Sequence, residues 1–232
     1  MNEYTPRWFH VFSETIPEEW TAREVAAVAE RLPLARFPRI LDLCCGAGRH
    51  ATPLSNAGYA IVGADRALHA LRVAASRAPR ARFVCLDQRD VGCISQTFDG
   101  VLLLWQSFGY FSRAGNDSVL QNIARVLRPG GRLLIDVVHP DFYRARIGEQ
   151  HDARAGVKSL STTFDGDRMF SRIVYEDASE EGFDFETFHP DGLTDRAAAA
   201  GFDVVEACWW WERGRAPTPE EPRYQLVLET RT

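Results

Sequence analysis

Lysine is almost missing: among 232 residues Lys158 stands alone, and the other basic side chains are arginines. With 32 acidic residues the formal charge is -5, and no run of positive residues is long enough to follow a phosphate backbone. That composition excludes a basic nucleic-acid-binding arm and weighs against nucleic acid as a partner. No C-x-x-C pair occurs. The five cysteines, Cys44, Cys45, Cys85, Cys93 and Cys208, form an odd set without ligand spacing, so neither a disulfide framework nor a metal site is expected. A reducing, cytoplasmic setting fits them. Long apolar runs are absent as well, none approaching the roughly 18 residues a bilayer-crossing helix needs. The opening MNEYTPRWFHVF has no basic region followed by an apolar stretch, so no membrane partner is expected.

What is present is an ordinary apolar fraction, 45%, in a chain long enough for one substantial core with a small appendage. TAREVAAVAERL carries the T-x-x-E pattern of a capping box at Thr21 and Glu24, which predicts a helix from Thr21 to Leu32. Short apolar runs then alternate with helical patterns: RILDLC, HATPLSNAG, AIVGAD, LHALRVAASRA, ARFVCLD, DGVLLLW, NDSVLQNIARVL and GRLLIDVV. Strand and helix in alternation mean an α/β protein with a doubly wound, mostly parallel sheet. RPGG, Arg128 to Gly131, is expected to stop the helix before the fifth strand.

Beyond Val138 the pattern changes. SLSTTFDGDRMFSRIVYED predicts a hairpin at Asp165-Gly166, part of a small β-rich insertion. A helix from about Asp191 to Ala200, closed by Gly201, leads into FDVVEACWWW, on which Trp209, Trp210 and Trp211 should alternate across a strand and pack in the core. A loop bearing Pro217, Pro219 and Pro222 leads to YQLVLE, which can complete a terminal antiparallel hairpin. The expected organisation is an N-terminal helical segment (1–34), a cofactor-binding core (35–143), an inserted acceptor cover (144–182) and a C-terminal completion of the sheet (183–232).

LDLCCGAGRH, Leu41 to His50, places Gly46 and Gly48 directly after the first strand, where glycine lets backbone N–H groups approach a cofactor. G-A-G-R-H-A also satisfies G-x-G-x-x-A, and Asp65 closes the second strand near the spacing of a ribose-binding acid, so an NAD site is compatible with these letters. Asp42, four residues before Gly46, points the other way: a pyrophosphate repels a neighbouring carboxylate, and an ammonium group attracts one.

Here the sequence resembles the class I S-adenosylmethionine-dependent methyltransferases, whose first motif, (D/E)-x-x-x-G-x-G, appears as Asp42, Gly46 and Gly48. The resemblance continues through Asp65, through Asp87-Gln88 after the third strand, and through FDGVLLLWQSFGYF and VLRPGGRLLID, covering roughly Arg39 to Val138. It implies a seven-stranded sheet with a terminal antiparallel hairpin and S-adenosylmethionine as cofactor. It assigns Asp42, Cys44, Gly46, Gly48, Asp65, Arg66, Asp87, Gln88, Leu104 and Gln106 to the cofactor. WQSFGYF is similar to the corresponding segment of small-molecule methyltransferases, sugar-amine N-methyltransferases among them, and lacks the N-P-P-Y type motif of DNA amino-methyltransferases.

A sulfonium activates its own methyl group, so the protein must mainly align a nucleophile in line and exclude water, and a base is optional. Ligands in open α/β sheets sit beyond the carboxyl ends of strands, which nominates Gln106, Ser107 and Tyr110 after the fourth strand and His139, Asp141 and Tyr143 after the fifth. His139 is the base candidate, with a structural place before Pro140 as the competing reading; Tyr110 is the second catalytic candidate. His189 should only open the last helix. Tyr4, Trp8 and Phe9 either close over the cofactor or pack on the sheet. The charges of the insertion, Arg144, Arg146, Glu149, His151 and Arg154, define no acceptor. The expected function is methyl transfer to a nitrogen or oxygen of a small-molecule acceptor. The alternatives are an NAD-dependent oxidoreductase and a non-catalytic binder of S-adenosylmethionine, and a homodimer is left open.

Overall fold

A computed structural model describes residues 4–13, 15–95, 97–150 and 154–231, so His151 lies outside the described residues. The strands are β1 (Arg39–Leu43), β2 (Ala60–Asp65), β3 (Arg82–Cys85), β4 (Phe98–Leu103), β5 (Leu127–Val138), β6 (Gly148–Gln150), β7 (Val157–Asp165), β8 (Arg168–Tyr175), β9 (Glu180–Glu186), β10 (Phe202–Cys208) and β11 (Arg223–Thr230). The helices are α1 (Pro6–Trp8), α2 (Glu18–Arg31), α3 (Ala51–Asn56), α4 (Leu68–Arg77), α5 (Arg113–Val126), α6 (Pro140–Arg144) and α7 (Pro190–Ala199). No described helix is long and apolar enough to cross a membrane.

Seven strands form one sheet in the order β10-β11-β5-β4-β1-β2-β3. β1 through β5 run parallel, β11 is added antiparallel to β5, and β10 pairs antiparallel with β11 to complete the terminal hairpin that the resemblance implied. Every residue of β4 is buried, as a central strand covered on both faces must be. Val101 and Leu103 face Val119, Leu120, Ile123 and Val126 of α5. Leu102 faces the opposite layer, with Val28 of α2, the following Leu32, and Leu54 of α3. α5 ends at Val126 and β5 begins at once with Leu127, so Arg128 to Gly131 lie in the first part of that strand, with Gly130 at φ +67°.

Two local expectations fail. The capping box does not form: α2 begins three residues early, after Pro17, with Glu18 and Glu19 in its first turn beside the positive end of the helix dipole. Thr21 is therefore inside the helix, and Glu24 turns inward, where three donors meet it. The tryptophans do not alternate along a strand either. β10 stops at Cys208, and Trp210 and Trp211 adopt positive φ, 51° and 61°. Their turn is held from outside the strand: the Trp211 carbonyl accepts from Arg31 Nη2 at 3.0 Å, and the Trp211 amide donates to Gln225 Oε1 at 3.0 Å. Trp211 is buried, and Trp209 and Trp210 are half-buried.

The predicted β-rich insertion is a separate antiparallel sheet, β6-β7-β8-β9, turning at Gly166 between β7 and β8 and running on to Glu186. It docks on the main sheet through Met169 and Phe185, which pack with Val138, Tyr110 and Tyr143. A backbone bond fixes the approach, Glu186 N–H donating to the Gly109 carbonyl at 2.8 Å. The N-terminal segment lies on this second sheet: Tyr4 stacks on Phe183 with centroids 4.5 Å apart, and Trp8, Val11 and Phe12 join the same cluster.

Gly109 stands at φ +106°, and a Cβ there would come 2.3 Å from the Glu186 carbonyl oxygen, a backbone atom unable to swing away. Gly109→Ala should therefore lower the melting temperature by about 5 °C or more, on the scale of at least about 2 kcal/mol. Limited proteolysis should show faster cleavage within 154–186 than in the wild type; an unchanged pattern would disprove the docking role.

Candidate cofactor and acceptor site

The strand order reverses between β1 and β4, and beyond the carboxyl ends of these strands opens a cavity of about 940 Å³. Its floor is the glycine turn after β1 and the loops after β2, β3 and β4. Its roof is the N-terminal segment and the second sheet. Of the ten residues expected at the cofactor, Asp42, Cys44, Gly46, Asp65, Arg66, Asp87, Gln88, Leu104 and Gln106 are on the wall. Gly48 is not: a Cβ there would sit 3.0 Å from Ala74 Cβ, so this glycine lets α4 approach the turn. At Gly46, φ +52°, a Cβ would meet the Phe9 ring at 3.1 Å. Phe9 thus closes over the turn, while Tyr4 and Trp8 line the cavity from the second sheet.

The turn is tied to β2 by Asp65, whose Oδ2 accepts from Gly46 N–H and Oδ1 from Ala67 N–H, both at 2.8 Å. Burial nonetheless raises its pKa, the amides of Ala67 and Gly46 opposing the shift. Asp87 is held below the ordinary carboxylate range by the Arg89 guanidinium, at 2.9 Å. Asp42 is 3% exposed, and burial pushes its carboxyl up to about 6 against the pull of His50 and Arg49. Four buried polar atoms of the wall have no hydrogen-bond partner: Asp42 Oδ2, Arg49 Nη2, His69 Nε2 and Gln88 Oε1. Such atoms are costly unless a ligand satisfies them.

The loop after β4 is strained, Trp105 and Gln106 standing at φ 56° and 55°. Buried Asp136 on β5 holds it: its Oδ2 accepts from Trp105 N–H at 3.0 Å and from Arg223 Nη2 at 2.7 Å, and its backbone carbonyl accepts from Gln106 N–H at 3.0 Å. Gln106 then spends its side chain on backbone, donating to Phe108 O and accepting from Val138 N–H. Tyr110 is on the wall, its hydroxyl hydrogen-bonded to that of Tyr4, and burial raises the pKa of both. Ser107 and Tyr143 also line the cavity. His139 does not. It is buried against His189 and Tyr224, its Nδ1 is unpartnered, and burial lowers its pKa. His189 sits at the N-cap of α7 and bonds Asp141 at 3.1 Å, away from the wall.

Arg49, His69, Arg223 and the inward-facing role of Glu24 were missed in the sequence. Arg49 lay inside the quoted motif with a charge the glycine argument did not use. Arg223, opposite Val138 in the register of β11 on β5, reaches diagonally to Asp136, which lies opposite Gln225, a pairing no local pattern encodes.

A carboxyl at about 6 keeps its proton in the folded chain at pH values where the unfolded chain has lost it. The protein free of ligand is therefore most favoured below the ordinary value of 3.8 and loses on the order of 3 kcal/mol as pH rises through 6. Asp42→Asn should raise the melting temperature at pH 8 and leave it nearly unchanged at pH 4; equal shifts at both would refute the assignment.

Residues 40–131 match the family model described as a methyltransferase domain. Over 133 residues the chain is 28% identical to a demethylmenaquinone methyltransferase of Paenarthrobacter aurescens, covering 57% of this chain and 51% of that protein. The chain spans about half the length of the curated relatives it matches. A S-adenosylmethionine-dependent methyltransferase from Clostridium acetobutylicum shares the fold with a TM-score of 0.81 over 97% of both chains at 14% identity. The S-adenosylmethionine-bound structure of CalS10, an amino pentose methyltransferase from Micromonospora echinaspora, does so at 0.69 over 99% of both chains and 21% identity. The glycine turn, the strand order and the domain match agree with one another: residues 40–131 form a methyltransferase domain, and the chain has the fold of S-adenosylmethionine-dependent methyltransferases.

Proposed function

We propose that the chain transfers a methyl group from S-adenosylmethionine to a nitrogen or oxygen of a small-molecule acceptor. The observation that carries this reading is one cavity with two unlike halves. On one side stand Asp42 Oδ2 and Gln88 Oε1, buried acceptors without donors. They fit the ammonium and the adenine amine of the cofactor, with Asp65 at the ribose, Asp87 beside the adenine, and the backbone of Cys44 and Gly46, with Arg66 and Leu104, completing the contact. An NAD pyrophosphate would instead meet the Asp42 carboxylate.

On the other side the wall is apolar, with Leu160, Met169, Ile173, Phe183 and Phe185 from the second sheet. Its charges come largely in pairs: Arg168 with Asp184, and Arg223 with Asp136 behind it. A roofed space of this size suits a small molecule and not a duplex, which supports the absence of a nucleic-acid partner. A non-catalytic binder would have no use for a second half. The reduced-thiol composition supports a cytoplasmic location, and the inserted cover at 144–182 is read as the acceptor-binding element.

When bound, the sulfonium supplies the activated methyl group. The protein orients both partners and excludes water: Phe9 and the N-terminal aromatics cover the cofactor half, and the second sheet covers the acceptor half. Tyr4 and Tyr110 stand between the two. Their raised pKa values keep both hydroxyls neutral at pH 7, so they donate hydrogen bonds to the acceptor and take no proton from it. His139, off the cavity wall, is not placed to serve as base. The acceptor best suited to this wall is an amine with a free lone pair or a hydroxyl acidic enough to ionise unaided.

Thermal unfolding with S-adenosylmethionine, S-adenosylhomocysteine and NAD should show stabilisation by the first two alone, roughly 2.7 kcal/mol at 100 times Kd. A panel of amines and phenols should then release S-adenosylhomocysteine with at least one acceptor; stabilisation by NAD alone, or no release across a broad panel, would sink the proposal. Affinity for S-adenosylmethionine should fall about tenfold from pH 7 to pH 5, as Asp42 takes its proton below about 6. In Asp42→Asn that pH dependence should disappear; its persistence would place the titrating group elsewhere.

A further inference from the structure

Glu24 joins three donors from two separate segments. Its Oε2 accepts from Arg49 Nη1 at 2.5 Å and His50 Nε2 at 2.8 Å, and its Oε1 accepts from Trp105 Nε1 at 2.5 Å. The residue is 3% exposed; burial alone would raise its pKa, but the bonds from His50 and Arg49 outweigh it and hold the carboxyl lowered. Thr21, one turn earlier on α2, accepts from the same Arg49 Nη1 at 2.9 Å. The guanidinium lies 4.7 Å from the centroid of the Trp105 ring, and that indole is itself oriented by Glu24. One side chain therefore sets both the arginine and the aromatic surface it rests on.

All this restraint acts on one end of the fork. Arg49 Nη2 is buried on the cavity wall with no partner, as is Asp42 Oδ2 on the same wall. The charge of Arg49 also reaches Asp42, whose carboxyl it helps to lower against burial. An unmet donor of positive charge and an unmet acceptor of negative charge, both buried, on the wall of one cavity and within each other's field, form a receptor for a zwitterion. The amino-acid end of S-adenosylmethionine is one, with an ammonium for Asp42 and an α-carboxylate left over.

We propose that Arg49 binds the α-carboxylate of S-adenosylmethionine and that Glu24, from the N-terminal helix, is the positioning residue that aims it. The inference rests on the reading that the Asp42 half of the cavity holds the cofactor. It gives a role to the T-x-x-E pattern that did not cap the helix: Thr21 and Glu24, spaced for one face of α2, grip one guanidinium from outside the core sheet.

Decarboxylated S-adenosylmethionine keeps the sulfonium, ammonium and adenosine and lacks only the carboxylate, so its binding isolates the contact. Calorimetry on the full chain should show wild type preferring S-adenosylmethionine by at least about tenfold, the scale of a buried charge-assisted bond. In Arg49→Met and in Glu24→Gln that preference should collapse to less than about threefold, with the decarboxylated compound bound as well as before or more tightly. Arg49→Lys should restore part of it. If Glu24→Gln shows no cooperative unfolding, Glu24→Asp, which keeps the charge but withdraws it, should show the same collapse. A preference absent in wild type, or intact in either variant, overturns the proposal. Wild type binding neither compound would instead overturn the cofactor reading on which it rests.

Discussion

The Asp136 carboxylate, buried near the end of β5, is the contact on which the site's architecture depends. Besides Trp105 N–H it receives Arg223 and, at 3.0 Å, Gln225 Nε2, both from β11. Four donors on one carboxylate join the antiparallel strand to the strained loop beside it. Positive φ at two successive large residues costs of order 1–3 kcal/mol each and persists only where surroundings over-determine it. Asp136 and Arg223 provide that surrounding, and the return is a chain that turns sharply off β4 and leaves Leu104, Gln106 and Ser107 on the cavity wall. The terminal hairpin thus contributes to the site without itself supplying most of the wall.

A second constraint runs against stability. Asp42, Arg49, His69 and Gln88 each bury an unmet polar atom, and a fold selected for stability alone would satisfy or expose them. Their common location on one wall separates a prepared site from a packing defect. His139 Nδ1 is equally unmet but lies off that wall, which is why burial of a polar atom is informative only together with where it points.

Much of the sheet was readable because its signals are local. Apolar runs of strand length separated by amphipathic helices, a glycine turn, and acids closing β2 and following β3 are written over short stretches of chain, and most of the expected cofactor residues do meet on one wall. What escaped was non-local. Whether Thr21 and Glu24 cap a helix depends on Pro17 starting it earlier and on donors from Arg49, His50 and Trp105. Whether three tryptophans alternate depends on Arg31 and Gln225 seizing the backbone of Trp211. His139 stands at a strand end, as expected of a catalytic group, yet His189 and Tyr224 enclose it on the far side. Strand position tells which end of the sheet a side chain occupies, and packing decides which way it faces.

The second sheet shares no strand with the main one. Beyond the chain connections at its ends, it is held by the Gly109–Glu186 backbone bond, by a small cluster of apolar and aromatic side chains, by Asn116 and Arg196 donating to the Glu186 carboxylate, and by Arg168 donating to the Phe111 carbonyl. In evolutionary terms this makes it a replaceable cassette. A lineage can lengthen β7, reshape the wall around Met169 or exchange Phe183 for a smaller residue without disturbing the register of any strand that carries the glycine turn. A change in the chemistry of that wall and retention of the glycine turn are therefore separable, with the joint between them confined to one backbone bond, a few apolar side chains and the polar contacts of Glu186 and Arg168.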